Sequence, residues 1–122
     1  MTETQKEQVH QIALYYGLEA QSQKTVEENI ELAHALIRLV QGKISLNNDK
    51  DLYEVLEEIA DVEIMIEQLK FLLSCYQSVS KIIDIKIKRQ EKRIDNEWCR
   101  ILGNAQKEGA KNCIKNGIQS QK

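Results

Sequence analysis

The sequence predicts an all-α helical bundle, and three observations carry that expectation. Proline is absent from the 122 residues, only five glycines occur, and 30% of the residues are charged, a composition of long helices rather than of strands and tight turns. Apolar residues recur three and four apart along four separate stretches, the spacing that gathers side chains on one helical face. Glycines and an Asn-rich run fall between most of those stretches, where helices stop.

Each element follows from its own pattern. Residues 3–16 place Val9, Ile12, Ala13 and Tyr16 at helical spacing, and Gly17 offers a break. Residues 19–41 form a second helix with two apolar faces: Val26, Ile30, Ala33, Ile37 and Val40 on one, Leu32, Ala35 and Leu39 behind Glu28 on the other. Gly42 suits its C-terminal stop. A polar linker over 43–50 contains Asn47-Asn48-Asp49 and hands over to a third helix, residues 51–73, for which Asp51 and Glu54 read as a start signal. A fourth stripe over 79–102 carries Ile83, Ile87, Ile94, Trp98 and Ile101, interrupted by Gln90 and Glu91. Residues 1–102 are expected to form one domain and 103–122 a frayed or flexible tail.

The formal charge of -2 conceals segregation, because residues 51–73 hold seven acids and one lysine while residues 81–93 hold six basic residues and two acids. Cys75, Cys99 and Cys113 are odd in number and share no metal-binding spacing, so free thiols and a cytoplasmic location are expected. No apolar run approaches a membrane span, and the polar start lacks a secretion signal. Neither a membrane nor a nucleic acid is an expected partner. A chain this small has a modest core, and the two-faced second helix predicts a homodimer or homotetramer.

Glu27-Glu28-Asn29-Ile30-Glu31 and Glu57-Glu58-Ile59-Ala60-Asp61 place carboxylates among residues that otherwise read as core. Glu28 heads a stripe with Leu32, Ala35 and Leu39, and Glu58 another with Val62, Met65, Leu69 and Leu72. Burying a carboxylate without a partner costs several kcal/mol, so paired acids in two apolar seams call for a shared counter-charge. Acids three residues apart lie about 60° apart around a helix and about 4.5 Å along it, close enough to reach one ion. Two such helices packed antiparallel supply four carboxylates, Glu28, Glu31, Glu58 and Asp61. An all-oxygen set suits Mg²⁺ or Mn²⁺, and Mg²⁺ commonly takes substrate phosphates as further ligands. The plain alternative for either motif alone is a solvated acidic face, or for residues 25–28 a capping box.

The two motifs together resemble those of the all-α, MazG-type nucleoside triphosphate pyrophosphohydrolases: ExxE, an insert, then ExxD. Glu28 to Glu31 and Glu58 to Asp61 match, with 26 residues between Glu31 and Glu58. Tyr16 to Gln21 is similar to the family's approach to its first motif, and residues 82–94, with Lys86, Arg89 and Arg93 on one face, to the basic helix that often follows it. The resemblance covers about residues 8–98. It implies a bundle of helices assembled as a dimer or tetramer, and Mg²⁺-dependent cleavage of a nucleoside triphosphate between its α and β phosphates. The products would be a monophosphate and pyrophosphate, with house-cleaning of non-canonical nucleotides as the implied role. Glu28, Glu31, Glu58 and Asp61 would hold the metal. Glu27 and Glu57 would position a water or a second ion, and Lys86, Arg89 and Arg93 would meet the phosphates.

Glu31 and His34 also form an ExxH pair, the spacing of carboxylate-bridged di-iron bundles, although His34 shares an arc with Glu27 and Arg38 rather than with Glu28. His10 has no supporting motif, and Trp98 reads as core or interface. Three other readings therefore stand beside the leading one: a phosphoribosyl-ATP pyrophosphatase, a di-iron bundle, and a helical interaction module without activity.

Overall fold

A computed structural model describes residues 1–103, and among them all regular structure is α-helical. Helix α1 spans Glu3–Val40, α2 spans Asp49–Leu72 and α3 spans Tyr76–Leu102. The first two helical stretches of the sequence are joined in α1, but the break at Gly17 is present. Its φ of 83° and ψ of 170° are not helical and lie in a region that essentially only glycine occupies. Residues Met1–Tyr76 form one compact unit and a second begins at Gln77, inside the stretch read from sequence as one domain. The expected tail lies, beyond Gly103, outside the described residues.

The Gly17 break folds α1 around α2. His10 and Gln21 bond the neighbouring residues Glu67 and Gln68 of α2. In an unbroken helix those two α1 positions would stand about 16 Å apart along the axis. Past the break α1 runs antiparallel to α2: Gln21 meets Gln68, and Arg38 lies 3.8 Å from Glu54.

The helix ends are explicit. Thr2 and Gln5 close a capping box on α1, the Gln5 N–H donating to Thr2 Oγ1 at 3.1 Å and the Thr2 N–H to Gln5 Oε1 at 2.7 Å. At the other end Gly42, with φ 71°, sits between bonds from its own N–H to Leu39 O and from the Lys43 N–H to Arg38 O, the paired closure of a Schellman motif. Helix α2 begins two residues earlier than the Asp51 signal suggested. Asn48 Oδ1 caps it by accepting from the Lys50 and Asp51 N–H groups, and the Asp51 carboxylate instead accepts from the Ser45 N–H at 2.9 Å. Its C-terminus repeats the Schellman closure, but with Ser74 at φ 49° where glycine is usual.

The apolar core of this unit is small. Ala35, Ile44 and Val55 pack together with Leu39, and Val9, Ala13 and Met65 are buried elsewhere along the seam. Polar side chains share the interior: Gln21, Thr25, Glu28, Glu67 and Gln68 are all buried. Of the two faces expected for α1, one enters this seam, whereas Val26, Ile30, Ile37 and Val40 are exposed.

Candidate metal site

Helix α1 carries Glu28 into the interface at 6% exposure, opposite Glu58 on α2. Carboxylate oxygens of Glu28, Glu31 and Glu58 lie within 4.8 Å of one another. These are three of the four carboxylates expected from the motifs. Like charges this close disfavour ionisation, and Glu31 registers it. The hydrogen bond between Glu31 and Glu28, then the charge of Glu28, burial and the charge of Glu58, hold the Glu31 carboxyl above its ordinary range.

Two observations show how unevenly the cluster is satisfied. Lys24, one turn before Glu28, sits 2.6 Å from Glu28 Oε1 and 3.2 Å from Glu27 Oε2. Its ammonium is raised above the usual lysine value, chiefly by the hydrogen bond to Glu28 and then that to Glu27. Glu58 Oε2, by contrast, is buried and has no hydrogen-bond partner. A buried carboxylate oxygen costs free energy unless something donates to it. A hard cation held among three glutamate oxygens would supply that missing positive charge, and all-oxygen donors of this kind suit ions such as Mg²⁺ or Mn²⁺.

Beside the cluster, a groove of about 540 Å³ runs between α1 and α2. Its apolar lining comes from Ile12 and Tyr16 before the Gly17 break and from Ile64 and Met65 on α2. Its polar lining includes Gln21, Lys24, Glu27, Glu28, Asp61 and Gln68. Asp61 is thus on the groove wall but outside the three-glutamate group, and like Glu31 it is exposed. Glu27 is exposed and lines the groove; Glu57 is exposed and is not among the lining residues. His34 is exposed and outside the group, so the ExxH pair contributes its glutamate alone. Lys86, Arg89 and Arg93 lie on α3, all exposed, in the second unit.

The motif reading did not anticipate a second charged centre. His10 Nε2 lies 3.0 Å from both Glu67 Oε1 and Tyr76 Oη. The Tyr76 hydroxyl donates to the same Glu67 oxygen at 2.5 Å, and Lys70 Nζ lies 3.1 Å from Glu67 Oε2. The His10 ring stacks on Phe71 at 4.0 Å, and Lys70 lies 5.3 Å above the Tyr76 ring. Burial alone would push the Glu67 carboxyl up, but hydrogen bonds from Tyr76, His10 and Lys70 together bring it down to about 2. Burial, reinforced by Glu67, pushes the Tyr76 hydroxyl up to about 12.

The Lys70 to Glu67 spacing and the Lys24 to Glu28 spacing are visible in sequence as ion pairs within a helix. The approach of His10 across 57 positions is not. Among the described residues, no helix is long and apolar enough to cross a membrane. Comparison with protein-family models, with curated proteins and with solved structures finds no match.

Proposed function

We propose that the chain is a Mg²⁺-dependent nucleoside triphosphate pyrophosphohydrolase, with Glu28, Glu31 and Glu58 as the metal-holding group and Asp61 beside it. The observation that carries this reading is the convergence of three glutamates, one with a buried oxygen that nothing satisfies, at a groove large enough for part of a nucleotide. The resemblance to MazG-type enzymes supplies the reaction class. When bound, the ion supplies positive charge for the polyphosphate and for charge developing as the P–O bond breaks.

The protein's own groups divide the remaining work. Tyr16, Ile64 and Met65 provide an apolar wall suited to a base or sugar, and the buried amides of Gln21 and Gln68 offer hydrogen bonds. Lys24 has a specific part in this reading. A cation that takes over the Glu28 carboxylate frees the Lys24 ammonium, which lines the groove, to meet a phosphate oxygen. Glu27, losing the same lysine, is left to orient a water. The enzyme works as a homodimer or homotetramer here, since Val26, Ile30, Ile37 and Val40 present a continuous exposed apolar stripe at 59, 63, 52 and 87%.

The test is product analysis on a panel of canonical, deoxy and modified triphosphates, with and without Mg²⁺. Monophosphate and pyrophosphate in equal amounts, only with the metal, are expected. Orthophosphate as the first product would contradict the assigned cut, and no turnover on any triphosphate would favour the interaction-module reading.

A further inference from the structure

Helix α3 buries none of its residues, although it is strongly amphipathic. Ile83, Ile87, Ile94 and Trp98 share one stripe and are 48, 51, 44 and 49% exposed. Charges flank that stripe in an ordered way. Written in heptads with Ile87, Ile94 and Ile101 at position a, the e positions are Asp84, Glu91 and Trp98, and the g positions are Lys86, Arg93 and Arg100. One flank carries no cation and the other no acid.

Such asymmetry selects an orientation. In a parallel, in-register pair of helices each g residue meets the e residue five positions on in the other strand. Lys86 then faces Glu91 of the second copy, twice by symmetry, and Arg93 faces the Trp98 ring, a cation over an aromatic face. In an antiparallel pair e meets e and g meets g, which sets like charges together. The β-branched isoleucines at a suit two strands; of the d residues Ile83, Gln90 and Glu97, Gln90 would meet its own counterpart only in register, while Glu97, one turn after Arg93 on its own helix, would meet a like charge across the seam. An anionic membrane is the less suited occupant, because Asp84, Glu91 and Asp95 border the apolar face that would have to insert.

We infer that α3 pairs with α3 of a second copy of this chain, parallel and in register, with Lys86 and Arg93 as seam residues. This does not depend on the carboxylate cluster, so the pyrophosphohydrolase reading can fail while the seam stands, and the reverse. Lys86 and Arg93 are thereby committed to the second copy, and Arg89 falls outside the seam.

The test uses the full chain and its mass in solution by sedimentation over a concentration series. Lys86→Glu and Glu91→Lys should each weaken self-association by roughly tenfold, from two symmetric contacts made repulsive, and the double exchange should restore it. Circular dichroism checks that each variant keeps its helix. As a second measurement, Ile87→Cys should oxidise to a disulfide joining the two copies at position 87, mapped by peptide mass. A monomeric wild-type chain overturns the inference, whether or not it binds vesicles of anionic lipid. So does a double exchange no better than its single components, or an absence of the disulfide at position 87.

Discussion

Two glutamate centres join α1 to α2, and they are satisfied in opposite ways. Glu67 receives Tyr76, His10 and Lys70, and its carboxyl falls to about 2. Less than three turns earlier on α2, Glu58 leaves a buried oxygen without a donor, while Glu31 beside it is raised by its acidic neighbours. The first centre has a donor for both oxygens of its glutamate, whereas the second has three carboxylates with oxygens within 4.8 Å of one another and one lysine, shared between Glu28 and Glu27. A buried acid is therefore not by itself a sign of a site. The balance of donors around it separates an internal strut from a place that calls for a cation.

The contrast is most sharply broken by removing one carboxylate from each centre. Glu58→Gln should lower Mg²⁺-dependent turnover by about 10²-fold or more, since a lost ligand weakens metal binding and the chemistry it supports. Asp61→Asn should cost less, because Asp61 lies on the groove wall outside the three-glutamate group. Equal losses in steady-state kinetics would place Asp61 within the metal-holding group after all.

Glu67→Ala should instead act on folding, destabilising the protein by about 2–4 kcal/mol in urea titrations, because it strands three polar partners. The pH dependence carries a definite sign. Glu67 is depressed in the fold, so its stabilisation is present above the ordinary carboxyl value of 4.5 and is lost as pH falls toward 2. Tyr76 is raised, so its share is present below 10 and is lost as pH rises toward 12. A Glu67→Ala variant that melts like the wild type would remove the contrast between the two centres.

The kink that brings both centres onto α2 offers a smaller lever. Gly17→Ala meets no atom within 4 Å, so its cost is backbone strain alone, about 1–3 kcal/mol. An unchanged unfolding midpoint would show that the break does not depend on glycine. Smallest of all, Ser74→Gly should raise stability by about 0.5–1 kcal/mol, by relieving the left-handed φ at the end of α2.

These regions also differ in how far sequence exposes them. The helices, the Gly17 break, the Gly42 stop and the convergence of Glu28, Glu31 and Glu58 follow from local spacing, because helical geometry fixes which residues share a face. Asp61 shares its motif but lies outside the group, on the groove wall, because spacing along α2 does not fix where a side chain ends relative to α1. The His10 to Glu67 contact was illegible because it depends on the sharp φ of one glycine folding α1 back. The start of α2 was misplaced because Asn48 and Asp51 carry equally plausible capping side chains, and Asp51 bonds the loop instead.

Cation binding separates the two centres most directly. Differential scanning calorimetry with increasing Mn²⁺ or Mg²⁺ should raise the wild-type melting temperature, by an amount equivalent to about 2.7 kcal/mol at one hundred times the dissociation constant. The rise should vanish in Glu58→Gln and persist in Glu67→Gln. Glu31→Gln, which relieves the crowding of like charge, should melt higher than wild type in metal-free buffer. A wild-type protein indifferent to both cations, or a rise that survives Glu58→Gln unchanged, would contradict a metal site at the three glutamates.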